Sequence, residues 1–340
     1  MSDVWKFIKK YLIKIWNYAI TTFNGMAYGL FSTLIIGAII STLGDVLDLD
    51  FLRNLAVLLK TLTGVGIGIG IAWSLKLEGL RMVAAGVAGG IASGLVLGKP
   101  GDPIVEYLCV ILAVELVKLI LRKKTPVDII IIPMLSAIIA YGAYLIINQP
   151  ISTMMTNLGN FIQWATEKNA FVMGIIIAVV MGMALTAPIS SAALAISISL
   201  GGIAGGAAVV GCSVQMLGFA VMSRKDNNLG TIISVAIGTS MLQFKNILKK
   251  PIIWLPTIIV SAILGPLSTM VFKIKCSPIG SGMGTSGLVG QIGTYAEMGN
   301  TTEFWIGVLA LQIILPILLV LVFDIIFRKK KWIQPGDLKV

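Results

Sequence analysis

Histidine is absent from the 340 residues, charged side chains make up only 12%, and there are three cysteines. Without histidine the chain lacks the commonest proton shuttle and metal ligand, and it cannot itself carry a phosphohistidine. Cys109, Cys212 and Cys276 are odd in number and have no CxxC spacing, which argues against a metal site or a disulfide framework. No cofactor and no metal are expected. Soluble chains carry about a quarter charged residues, so this one has too little charge to coat a water-facing surface of its size.

Apolar residue is what the chain has in quantity. It is 57% hydrophobic, with a mean hydropathy of +0.96. Several apolar runs reach the roughly 18 to 20 residues that cross a bilayer. The fold class is therefore an all-α polytopic membrane protein. The net charge of +11 does not make it a nucleic-acid binder, because no recognisable reading module accompanies the charge. The basic residues cluster at the ends of apolar runs: Lys6, Lys9, Lys10 and Lys14; Arg122 to Lys124; Lys245, Lys249 and Lys250; Arg328 to Lys331. That is the signature of cytoplasmic anchors touching anionic lipid, and it predicts both termini in the cytoplasm. The N-terminus does not read as a cleavable signal, since lysines run through it with no small-residue cleavage site after them.

In chain order, residues 1–20 form an amphipathic interfacial helix, with Trp5, Ile8, Leu12, Ile15 and Trp16 near one face. Residues 21–148 hold five spans, near 24–43, 55–75, 82–97, 104–121 and 127–147. Asp45, Asp48 and Asp50 form an external acidic turn, and Lys99 to Pro103 a second external turn. The glycines of GVGIGIGIA (Gly64 to Ala72) follow no strand, so they indicate close helix packing rather than a nucleotide fingerprint. Glu115 and Lys118 are spaced for a local ion pair, and a structural role for Glu115 is favoured over a functional one. Residues 149–169 read as a polar connector between halves. Residues 170–327 form a second half, followed by a cytoplasmic tail at 328–340. No charged residue occurs from Phe171 to Ser223. Pro188 breaks a helix there, and hydroxyls on Thr186, Ser190 and Ser191 can satisfy the freed backbone.

The count comes to about ten crossings plus two re-entrant hairpins, near 187–200 and 277–299. Paired interruptions of this kind point to a transporter binding site. The candidate substrate-binding residues are Thr186, Ser190, Ser191 and Gln215 on one side, and Gly284, Thr285, Ser286, Gln291 and Glu297 on the other. Neutral hydroxyl and amide groups without an arginine cluster suit a sugar or similar small polar solute better than a phosphate or dicarboxylate. The competing reading of each is polar helix packing, in which Ser, Thr and Gly are common.

The segments 185–223, 238–257, 263–273 and GSGMGTSGLVGQIGT at 280–294 resemble the enzyme IIC-like membrane proteins of the bacterial phosphotransferase system, in the branch that includes PfoR-type regulators. The resemblance implies a glucose-superfamily IIC-like fold in a bacterial cell membrane, and dimerisation through the N-terminal helices as a homodimer. It also implies a sugar held between the two hairpins and a phosphorylated IIB protein as donor. Sugar-transporting relatives carry a glutamate in a hairpin motif reading roughly GITEP, and often a histidine. Here the motif reads GMGTSG and no histidine exists, so no catalytic residue is assigned. The leading expectation is a IIC-like permease. The alternatives are a PfoR-like membrane sensor, and a carrier of hydrophobic compounds built on Met181, Met183, Met216 and Met222.

Overall fold

The computed structural model describes residues 2–94, 102–123, 125–166 and 168–340. Apart from Asp102 and Pro103, the turn expected at Lys99 to Pro103 lies outside the described residues. The described chain is helical, and its one extended pairing is an isolated bridge between Gly202 and Cys276. By length and composition, five described helices can cross a bilayer, or six if the pair broken at Leu62 counts as one span. Leu80–Ala92, Ala170–Thr186 and Leu229–Gly238 are apolar but shorter. The chain is thus a multi-pass helical membrane protein.

Two compact units divide the chain: Met1–Ser32 with Thr61–Asn148, and Thr33–Lys60 with Gln149–Val340. The helices are α1 (Ser2–Leu30), α2 (Ile36–Val46), α3 (Asp50–Thr61), α4 (Thr63–Ser74), α5 (Leu80–Ala92), α6 (Pro103–Ile120) and α7 (Asp128–Thr166). The stretch expected as a separate interfacial helix is the first part of α1, which continues unbroken to Leu30. The polar stretch expected as a connector continues α7 as helix through Thr166.

In the first unit, glycine lets helices touch backbone to backbone. A Cβ on Gly25 or Gly29 would collide with the Gly70 or Gly66 carbonyl of α4, and one on Gly64 or Gly68 with Gly89 or Ala85 of α5. The glycine run 64–72 is therefore a packing surface. Asp102 caps α6 by accepting from the Ile104 N–H at 3.0 Å. Glu115 accepts from Lys118 at 2.7 Å and from the Tyr18 hydroxyl at 2.6 Å, the local pair its spacing predicts.

The second unit continues with α8 (Ala170–Thr186), α9 (Ser191–Ser197), α10 (Gly202–Met222), α11 (Leu229–Ile233), α12 (Phe244–Lys249), α13 (Leu255–Pro266), α14 (Pro278–Ser281), α15 (Val289–Met298), α16 (Thr302–Gly307) and α17 (Leu315–Lys329). Helix α10 is the core of the unit and is buried along most of its length. Having no charge, it can be surrounded. Gly211 meets the Ala178 carbonyl of α8, and Gly174 of α8 meets Gly265 of α13. Met181, Met216 and Met222 are fully buried in this packing, as core filler.

One end of the unit is tied by its tail. Asp324 is fully buried and accepts from Arg224 at 2.8 Å and Arg328 at 2.8 Å. Residues 334–340 fold back: Asp226 accepts from the Gly336 N–H, the Leu338 carbonyl accepts from Asn227 and Gln243, and the Lys339 carbonyl accepts from Asn246. The turn at 223–228 and the segment around Asn246 therefore lie against the same tail. The chain between them leaves that end and returns to it.

Candidate functional site

Three interrupted segments meet beside the middle of α10. The first begins where α8 stops. Ala187 precedes Pro188 and is extended (φ −73°, ψ 162°), the conformation a proline enforces on the residue before it. After α9, the chain reaches Gly202, whose carbonyl accepts from Cys276 N–H at 3.1 Å.

The second segment is the glycine-rich stretch after Cys276. Ser277 caps α14 by accepting from the Gly280 N–H, and its own N–H donates to the Gly293 carbonyl. Gly280 packs against Gly293, and the Lys275 N–H approaches the Met298 sulfur at 3.4 Å. Residues 276–298 thus form a hairpin with adjacent ends. Its tip turns at Gly284, where φ is +54° and a Cβ would strike the Cys212 backbone at 2.6 Å; only glycine fits without strain.

The third segment, 229–246, is the one that leaves the tail end and returns. It holds α11, a π-helical turn over Ser234–Gly238 and a 3₁₀ turn over Ser240–Gln243. Its inner bend meets the tip of the hairpin. Thr285 Oγ1 donates to the Ala236 carbonyl at 2.5 Å, and Ser286 Oγ to the Gly238 carbonyl at 2.7 Å. Ser191 Oγ donates to the Gly282 carbonyl at 2.7 Å, joining the first segment to the second. Thr186 and Ser240 hydroxyls lie 2.8 Å apart, joining the first to the third.

A cavity of about 450 Å³ opens among these segments, lined also by α2 and Lys60. That is within the usual size range of small-molecule sites. Aliphatic side chains dominate its wall, including Leu34, Ala38, Leu185, Ile189, Ile279 and Val289. Ser41, Ser190, Ser191, Thr239 and Ser277 contribute hydroxyls, and Asp45 and Lys60 charge. Asp45 is also bonded by Arg53 at 3.1 Å. Among the described residues that line it there is no aromatic ring and no arginine.

The sequence-derived residues separate into groups against this cavity. Ser190 and Ser191 line it. Thr186 and Gln215 lie in an adjoining buried cluster, where Gln215 Oε1 accepts from Thr186, Trp254 and Thr257 at 3.2, 3.0 and 3.1 Å. The Gln215 side-chain nitrogen has no partner among the described residues although it is buried. Gly284, Thr285 and Ser286 form the hairpin tip, the last two bonded to backbone carbonyls. Gln291 donates to Gln312 at 2.8 Å, and its buried oxygen is unpartnered among the described residues. Glu297 is exposed.

Sequence reasoning does not single out Ser277, Thr239, Ser41, Asp45 or Lys60 as site residues. Thr239 is visible as polarity within an apolar run, and the basic residues flanking that run leave open whether it spans. Asp45 reads as part of an external acidic turn, and only the fold brings it to the cavity wall. Among the described residues no group of Cys, Asp and Glu could hold a metal ion.

A family model described as "Phosphotransferase system, EIIC" matches residues 20–340. Nothing matches among curated proteins, and nothing among solved structures.

Proposed function

We propose, from the premise that this chain belongs to the phosphotransferase system EIIC family, that it is a membrane permease component which binds a small hydroxylated solute in the second-unit cavity and passes it across the bilayer. The observation that carries the reading is the meeting of three interrupted segments around that cavity. Irregular backbone at membrane depth is tolerated only where protein buries it or a wet cavity borders it, and transporter sites are built where broken helices meet. The segment 187–200 and the hairpin 276–298 come together at the Gly202–Cys276 bridge, whereas 229–246 starts and ends against the tail, so their inner turns approach from different ends of α10. A barrier made of tips meeting from opposite ends can open toward either side in turn.

The lining favours a neutral solute. Hydroxyls of Ser190, Ser191, Thr239 and Ser277 can exchange hydrogen bonds with solute hydroxyls, and Asp45 adds an acceptor. The aliphatic wall suits a solute with an apolar face, as the C–H side of a sugar ring offers. The absence of an arginine cluster disfavours a phosphorylated substrate. Family membership favours a sugar and a IIB phosphoryl donor, and the basic residues at the tail end favour a cytoplasmic location for that end. A total of about ten crossings and a homodimer in a bacterial plasma membrane complete the reading.

A second reading has its own support. The tip motif GMGTSG carries no acid and the chain has no histidine, so a PfoR-like sensor that binds without transport or phosphotransfer fits the same cavity. Counterflow in proteoliposomes, with labelled hexoses, pentoses and hexitols as probes, separates the two. The permease reading expects exchange of at least one probe. A probe that binds purified protein but does not exchange would establish the sensor instead.

A further inference from the structure

The folded-back tail borders a second, half-open pocket of about 390 Å³, which shares no lining residue with the first. Lys245, Lys249 and Lys250 of the α12 region line one side, and Lys339 and Asp337 of the tail the other. Four lysine side chains and one acidic side chain, Asp337, thus line it. That carboxylate is already engaged: Asp337 Oδ2 accepts from Lys250 Nζ at 2.6 Å and from the Gln334 N–H at 2.7 Å. Asn246, on the floor, is committed to Gln243 and to the Lys339 carbonyl at 2.7 and 3.0 Å. Among the described residues, Lys245, Lys249 and Lys339 are left without an anionic partner around a half-open pocket large enough for one.

Such an arrangement gathers like charges, and it holds one of them, Lys245, partly out of solvent while Lys249 and Lys339 stay exposed. Burial, with the neighbouring Lys249 ammonium, pushes the Lys245 pKa below the ordinary lysine value. A bound anion would relieve both effects. Lysines are compact point charges that bind phosphate from several directions. The pocket also lies at the end of the unit bearing Arg224, Arg328, Lys329 and Lys330, and basic residues of this kind favour the side where anionic headgroups concentrate.

We propose that the pocket between α12 and the folded-back tail binds a phosphate-type anion, held by Lys245, Lys249 and Lys339. The same chemistry can come from a free phosphate or from an anionic lipid headgroup. By bridging tail and α12, the anion would brace the returning segment 229–246, whose inner bend holds the hairpin tip. This site does not depend on the transport reading and stands if the protein proves a sensor.

The test uses full-length protein in two arms. In detergent, inorganic phosphate is titrated against chloride at matched ionic strength while thermal unfolding is followed. In nanodiscs, retention of phosphatidylglycerol over phosphatidylcholine is counted by native mass spectrometry. The proposal expects a saturable response in at least one arm. Lys245→Gln/Lys249→Gln/Lys339→Gln should weaken it roughly tenfold or more, whereas Lys273→Gln/Lys275→Gln, exposed lysines elsewhere in the unit, should leave it unchanged. A response in the phosphate arm alone identifies free phosphate, and one in the lipid arm alone a headgroup. No response in either arm, or equal loss in the control variant, overturns the proposal.

Discussion

Asp324 is the residue on which the tail end of the second unit turns. Its carboxylate is fully buried and takes both Arg224 and Arg328. Removing one partner from a buried charge cluster costs about 3–5 kcal/mol, because the remaining charges stay desolvated. Asp324→Asn is therefore expected to lower thermal stability sharply in detergent, and Arg224→Gln to do so less, since Arg328 remains to compensate the acid. Equal melting temperatures for wild type and Asp324→Asn would remove this cluster from the account. At the same scale, Ser190 and Thr285 part company although both are candidates from sequence for their hydroxyls. Ser190 lines the cavity, whereas Thr285 donates to a backbone carbonyl outside it. Ser190→Ala should raise the half-saturating concentration for uptake with little change in maximal rate. Thr285→Ala with Ser286→Ala removes two hydrogen bonds worth about 1 kcal/mol each between the tip and its counterpart, and should change the rate more than the affinity. The two effects are read from concentration series of initial uptake.

At the scale of elements, glycine decides how close helices come. A Cβ on Gly211 would run into the Ala178 carbonyl, and overpacking of a well-packed core typically costs about 1–3 kcal/mol. Gly211→Ala is expected to reduce the monodisperse fraction and melting temperature. Gly230→Ala, whose nearest neighbour is the Asn228 side chain at 3.6 Å, should not. Helical content, the Pro188 break and the glycine hairpin after Cys276 are legible in the sequence because proline and glycine act locally. The continuation of α7 through 149–166 is not, since polar residues on a helix read as a connector when no neighbour is known. The return of 229–246 is only partly legible. Basic residues on both sides, Arg224 and Lys225 before it and Lys249 and Lys250 after it, leave room for a segment that does not span, but its apolar sequence suggests a crossing, and it is the hydrogen bonds from Asn227 and Asn246 to one tail that show it ends where it began.

For the whole molecule, composition alone identifies the solvent, the resemblance points to the family, and the match over residues 20–340 bears the family out. The candidate site is half legible: Ser190 and Ser191 stand out in the sequence, while Asp45, Lys60, Thr239 and Ser277 come to the same cavity from parts of the chain that carry no motif. Above all, the arrangement implies that solute passes through this cavity. Counterflow of the labelled sugar and hexitol panel into proteoliposomes, compared between wild type and Ala192→Trp, tests it most directly. Ala192 lies on the cavity wall, and an indole there fills the space the solute needs. Wild type should exchange at least one solute, and a folded Ala192→Trp variant none. Exchange undiminished in that variant, or no exchange of any solute by wild type, would contradict it.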